Sequence, residues 1–149
     1  MDDAVWLRRA VELSRRCPPS QTAFSVGALI VADGMVVAEG RSREEDPHDH
    51  AEEVALRRAG RSVEGAVVYS SLEPCGRRAS RPDGCASLIV RAGVARVVFA
   101  WREPDTFGVG GGAEVLRAGG VDVDELAALA AAAAAVNAHL TPSGSRLNE

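Results

Sequence analysis

One imidazole, one carboxylate and two thiols stand in this sequence at spacings that could build a hydrolytic metal site. His50 and Glu52 lie in "HDHAEEVALRRAG", and Cys75 and Cys85 close the stretch "CGRRASRPDGC". An imidazole and two thiolates supply three ligands for zinc. A catalytic zinc keeps its fourth position for water, whereas a structural one usually takes four protein ligands. A carboxylate beside such a metal can carry a proton from water to a leaving amine, and Glu52 is the candidate. Two residues apart on a regular helix point about 200° apart at about 3.6 residues per turn. His50 and Glu52 therefore converge only if His50 sits in an irregular first turn. Plainer readings exist for each residue. Cys75 and Cys85 alone could be buried thiols, and Cys17 reads as a structural or exposed one. His48 fits a solvated loop, His139 a surface or interface, and Glu53 a helix-surface acid. The conjunction of His50 and Glu52 with the two cysteines favours the metal.

The elements that must position these groups follow from periodicity. Val5, Leu7, Ala10, Val11, Leu13 and Ser14 fit a helix from Asp2 to Arg16, stopped by Pro18 and Pro19. "FSVGALIVADGMVVAEG" reads as two strands around the turn signal Asp33-Gly34. "HAEEVALRRAG" has helical spacing and a Gly60 stop, and "GAVVYSS" is a short buried strand leading to Cys75. "CASLIVRAG" reads as a helix ending at Gly93, "ARVVFAW" as a buried strand, "GGAEVLRAG" as a helix and "GVDV" as a small strand. Residues 124–140 read as one Ala-rich helix, and 141–149 as a flexible tail. The expected organisation is a single domain over residues 1–140, with a mostly parallel sheet covered by helices on its faces. Sites in such sheets lie where strand ends meet helix starts, which is where His50, Cys75 and Cys85 fall.

Composition narrows the classes of function. The net charge of −4 and the scarcity of aromatic residues, 4% of the chain, disfavour a nucleic-acid surface. The N-terminal "MDDAVWLRRAVELSRRC" mixes acids with apolar residues, unlike a signal peptide. No apolar run reaches spanning length, and "LAALAAAAAAVNAHL" is interrupted by Asn137 and His139. A cytoplasmic location without membrane partners is expected. There, three cysteines suit a metal or free thiols better than a disulfide framework.

His-x-Glu followed by Pro-Cys and a second cysteine resembles the signature of zinc-dependent base deaminases, with nine residues between the cysteines in place of two. The chain is similar to the cytidine-deaminase-like superfamily, and within it to the riboflavin-pathway pyrimidine deaminases of the fungal type. The resemblance is carried by Thr22, Ala23, Phe24, Val26 and Gly27 in "TAFSVGALIV". Gly40, Ser42, Arg43 and Glu44 before "HAE", Arg78 and Ser80 in the long cysteine loop, and "EPDTF" from Glu103 to Phe107 extend it. It implies a three-layer α/β/α fold with a five-stranded mixed sheet. It implies Zn2+ held by His50, Cys75 and Cys85, with Glu52 as proton shuttle. The implied substrate is a diaminopyrimidinone carrying a ribosyl or ribityl phosphate. The alternative is a cytosine, guanine or nucleoside deaminase of salvage or specialised metabolism, and behind it a non-catalytic zinc-stabilised binding module, which the three-ligand count and Glu52 disfavour. Phe24 and Ser25 are expected near the pyrimidine ring, and Ser42, Arg43 and Asp105 among the substrate-binding residues. Arg77, Arg78 and Arg81, with Ser80 between them, are expected to form a lid for the phosphate, since arginine suits bidentate phosphate contacts. Gly76 replaces a serine common after the first cysteine, and "RPDG" replaces a Gly-Asn-x-Pro stretch before the second. No stretch resembles the reductase domain fused in bacterial relatives, so separate partner enzymes are expected. A homo-oligomer is expected from the same resemblance.

Overall fold

A computed structural model describes residues 2–60, 63–77, 83–104 and 111–140. Five strands form one sheet: β1 (Gly27–Ala32), β2 (Met35–Arg41), β3 (Val67–Leu72), β4 (Arg96–Trp101) and β5 (Asp122–Glu125), in the order β2-β1-β3-β4-β5. β1 pairs antiparallel with both β2 and β3, while β3–β4 and β4–β5 are parallel. The sheet is therefore mixed, as the family resemblance implied. It is not mostly parallel, as the alternation of elements alone suggested. The difference arises at the hairpin: Asp33 and Gly34 both adopt positive φ, 52° and 75°, which turns β2 back on β1.

Helix α1 (Asp3–Ser14) is N-capped by Asp2, whose carboxylate accepts from the Val5 amide at 3.1 Å. α2 (Ala51–Ala59) and α3 (Cys85–Ala92) end at Gly60 and Gly93, both with positive φ, as their sequences predict. α4 (Gly112–Ala118) links β4 to β5. The expected long C-terminal helix is shorter and broken. β5 runs to Glu125, a 3-10 turn occupies Ala127–Leu129, α5 spans Ala130–Val136, and a second 3-10 turn spans Ala138–Leu140. Alanine propensity alone does not override the sheet pairing of Asp124 and Glu125 with Val98 and Phe99.

Two apolar layers flank the sheet because strand side chains alternate between faces. Leu29, Val31, Tyr69, Val98 and Ala100 pack against Trp6, Leu7, Ala10 and Val11 of α1 and Ala133 of α5. Ala28, Ile30, Val68 and Val97 pack on the opposite face against Ala51, Ala55, Ala86 and Ile89 of α2 and α3 and Leu116 of α4. Burying each such Leu or Ile stabilises the fold by about 1.5–3 kcal/mol. Close approach matters at one point in particular. A Cβ at Gly40 of β2 would overlap the Ala51 carbonyl and lie 2.7 Å from the Ala55 amide, so only glycine lets α2 lie this near the sheet. Among the described residues, no helix is long and apolar enough to cross a membrane.

Candidate active site

His50 directly precedes α2 in an extended conformation, with φ −96° and ψ 151°. The departure from helical geometry answers the spacing problem, because both His50 and Glu52 line one cavity of about 490 Å3. Glu53 holds that first turn: its carboxylate accepts from the His50 amide at 2.8 Å. It is thus a capping group rather than a mere surface acid. The loop before His50 is fixed by Asp49, which is buried, accepts from the Asp46 amide at 3.1 Å, and pairs with Arg57 at 3.1 Å.

Cys75 follows the C-terminal end of β3, and Cys85 opens α3. Gly84, the N-cap of α3, brings them together, since a Cβ there would stand 2.5 Å from the Gly76 carbonyl oxygen and 2.7 Å from that of Cys75. The Cys85 amide donates to the Cys75 sulfur at 3.2 Å, and the Ala86 amide to the Cys75 carbonyl at 3.0 Å. His50 Nδ1 lies 3.5 Å from Cys75 Sγ and 3.4 Å from Cys85 Sγ. The three ligand-capable atoms all fall within 4.8 Å of one another. The Cys85 thiol, against the opposing effect of burial and together with His50, pulls the Cys75 thiol down to about 4. Two cysteine sulfurs and an imidazole nitrogen within 4.8 Å of one another are the donor set that zinc prefers, so the residues fit that ion.

Glu52 is 4% exposed and lines the same cavity. Ser70 Oγ lies 3.4 Å from its Oε2, while bonding the Leu72 carbonyl at 2.8 Å. Phe24 forms part of the wall, held edge-on against Trp101 with ring centroids 5.4 Å apart. It precedes β1 rather than lying in a central strand. Ser42 also lines the cavity, where its hydroxyl accepts from the Val26 amide at 2.9 Å. Arg43 has a positive φ of 57°. Its guanidinium donates to the carbonyls of Phe24 (3.0 Å) and Pro18 (2.7 Å) and to Ser25 Oγ (2.8 Å). Burial holds the Arg43 pKa below its ordinary value. Ser25 lies behind the wall: its hydroxyl faces Arg43 and its backbone meets Asn137. Arg77 is exposed at the cavity mouth. Arg78, Ser80, Arg81 and Asp105 lie outside the described residues.

Three positions carry structure that sequence reasoning did not assign. Glu73, buried beside Cys75, accepts from the Glu103 amide at 3.0 Å and the Ala113 amide at 2.9 Å, tying the end of β4 and the start of α4 to the ligand strand. Its only sequence signal is its place next to Pro74-Cys75. Asp49 was hidden in an acidic loop, and Asn137 in an alanine run.

Residues 1–101 match the family described as the cytidine and deoxycytidylate deaminase zinc-binding region. The diaminohydroxyphosphoribosylamino-pyrimidine deaminase of Schizosaccharomyces pombe is 38% identical over 125 residues, covering 80% of this chain and 31% of that protein. Riboflavin biosynthesis protein RibD of Escherichia coli is 40% identical over 125 residues, covering 83% and 33%. The chain thus spans about a third of the length of these two relatives. Among solved structures, Acinetobacter baumannii RibD (form 1) superposes with a TM-score of 0.80 at 34% identity, over 93% of this chain and 38% of that one. A C-terminal deletion mutant of Aspergillus oryzae Rib2 deaminase in complex with DARIPP superposes with a TM-score of 0.73 at 27% identity, over 83% of both chains.

Proposed function

The chain belongs to the cytidine and deoxycytidylate deaminase family, and from that premise we propose that it hydrolytically deaminates a diaminopyrimidinone bearing a ribosyl or ribityl phosphate, in riboflavin biosynthesis. The observation that carries this reading is the grouping of His50, Cys75 and Cys85 within 4.8 Å of one another, beside a cavity that His50, Cys75 and Glu52 line. It occurs on a chain whose relatives include a diaminohydroxyphosphoribosylamino-pyrimidine deaminase and RibD.

His50, Cys75 and Cys85 would hold zinc, which when bound supplies the Lewis acidity that makes water a nucleophile near neutral pH. Glu52 takes the proton that the attacking water loses, delivers it to the ring nitrogen, and assists departure of the exocyclic amine as ammonia. Its burial keeps bulk water from competing for that proton. Phe24 presents a rigid aromatic wall to the pyrimidine; Arg43 holds it by donating to the Phe24 carbonyl and to Ser25 Oγ, and Ser42 by bonding the backbone of Val26. Arg77 at the mouth, with Arg78, Ser80 and Arg81 after it and Asp105 from the segment following β4, is assigned to the sugar phosphate. Assembly with further copies of the chain belongs to the same reading, and sedimentation would test it.

The deciding experiment is ammonia release by the zinc-loaded protein from the ribityl and ribosyl phosphates, with cytidine alongside. Turnover of a phosphorylated diaminopyrimidinone but not of cytidine is expected. Turnover of cytidine alone would overturn the substrate assignment and leave the proton chemistry of Glu52 standing.

A further inference from the structure

The alanine-rich C-terminal stretch carries only two polar side chains between Leu126 and Leu140, and both reach back to the segment that walls the cavity. Asn137 is 1% exposed. Its Oδ1 accepts from the Ser25 amide at 2.6 Å, and its Nδ2 donates to the Ser25 carbonyl at 3.0 Å. His139 Nε2 lies 3.0 Å from the Ser20 carbonyl oxygen, which makes the imidazole the donor there. Ser20, Ala23, Phe24 and Val26 all line the cavity.

A carboxamide carries a donor and an acceptor side by side, so it can satisfy both backbone groups of one residue as a neighbouring strand would. Ser25 lies just before β1, where the regular ladder has not begun. Its neighbour Val26 is held from the other side by Ser42, through the 2.9 Å bond to the Val26 amide and a 3.0 Å bond from the Ser42 amide to the Val26 carbonyl. Asn137 thus supplies the partner that the backbone of Ser25 would otherwise seek in water. Burial of the amide excludes that water and strengthens the pair of bonds. Asn137 also lies beyond the residues that match the family, which end at 101. We propose that Asn137 is a positioning residue for substrate binding: by clamping Ser25 it fixes the Phe24 wall, making the C-terminal element part of the substrate site.

This inference rests on the deaminase reading, and its test separates the two. Zinc-loaded wild type, Asn137→Ala, Asn137→Asp and the control Ala135→Gly are compared, each as the whole 149-residue chain. Ala135→Gly weakens the same helix at an exposed position without touching Ser25. Amide exchange at Ser25 is read by NMR, and KM and kcat with the phosphorylated diaminopyrimidinone. Asn137→Ala should speed Ser25 exchange at least tenfold and raise KM about tenfold. Its kcat should stay within about threefold and its zinc content at the wild-type level. Asn137→Asp, which keeps the acceptor but sets a buried carboxylate oxygen against the Ser25 carbonyl, should speed Ser25 exchange and raise KM at least as much. Ala135→Gly should leave both readouts unchanged while lowering the melting temperature. Unchanged Ser25 exchange in both Asn137 variants, or faster exchange with KM within twofold of wild type, would overturn the proposal. A parallel shift caused by Ala135→Gly would overturn it too, by showing general loosening of the helix. If Asn137→Ala fails to fold, Asn137→Asp against the control carries the same decision. Absence of turnover by the wild type would sink the deaminase reading instead, and Ser25 exchange would then decide whether the clamp exists.

Discussion

Glu52 is set apart from the other acids of the chain by position rather than by type. Glu53, one residue on, bonds the His50 amide, whereas Glu52 is buried and faces the cavity that His50 and Cys75 share. Replacing it with glutamine keeps the volume and removes the base. Glu52→Gln should therefore retain zinc, measured by metal analysis, while kcat falls about 100- to 10,000-fold, the usual contribution of a general base. Near-wild-type turnover would remove Glu52 from the proposed role. At this scale the sequence was legible where residue types are rare: His50, Cys75 and Cys85, singled out by their spacing, do lie together in the fold, and Glu52 lines the adjoining cavity. It was silent where a common residue acts through geometry. Nothing in "EPC" says that the Glu73 carboxylate accepts from Glu103 and Ala113, and nothing in the arginine of "SRE" says that its guanidinium will hold the carbonyls of Pro18 and Phe24. Such bonds join residues distant along the chain and exist only once the sheet is formed.

Helix α2 carries Glu52 in its first turn, directly after His50, and its distance from β2 is set by Gly40. A methyl group at position 40 would strike the Ala51 carbonyl, between His50 and Glu52. Gly40→Ala should lower stability by about 1–3 kcal/mol, read by denaturant unfolding, and lower zinc content with it. A stable variant with full zinc would show that α2 can shift without cost to the site. α1 is anchored differently. Asp3 receives Tyr69 Oη at 2.6 Å and pairs with Arg96, also at 2.6 Å, so the first turn of α1 is tied to β3 and β4. The Arg96 guanidinium holds the Asp3 carboxyl below its ordinary value of 3.8, against the opposing effect of burial. A carboxyl whose pKa is depressed on folding stabilises fully above its unfolded value, and that stabilisation is lost as pH falls through the folded one. Asp3→Asn should thus melt below wild type at pH 7, and the gap should narrow below about pH 3.8. A gap that stays constant through acid would dissociate Asp3 from that linkage. Elements of this kind were largely legible, because the apolar periods and the glycine stops at Gly60 and Gly93 agree with the tertiary packing. The C-terminal region was not. A run of alanines has helical propensity everywhere and no apolar face to mark where pairing of β5 ends and the helix begins.

Across the whole molecule, the three ligand candidates come from separate parts of the sheet's connections. His50 lies in the β2–α2 junction, Cys75 at the end of β3, and Cys85 at the start of α3. The architecture was legible only in combination: alternation of elements gave helices on the faces of a sheet, while the strand directions had to come from the hairpin and the family resemblance. The cavity wall facing His50 was legible only through the family resemblance, since Phe24, Ser42 and Arg43 join His50 there only through the folding of loops on both sides of β1 and β2. A metal joining these junctions binds the folded chain and not a preformed site in the unfolded one, so its binding free energy adds to folding. Zinc at about 100-fold above its Kd would add about 2.7 kcal/mol. Dialysis against a chelator should therefore lower the melting temperature, and stoichiometric zinc should restore it. Cys85→Ser should melt near the metal-free wild type and respond far less to added zinc, because one thiolate of the set is lost. A chelated wild type that melts at the same temperature as the loaded protein would mean that the metal does not bridge these junctions, and the three-ligand site would fall with that result.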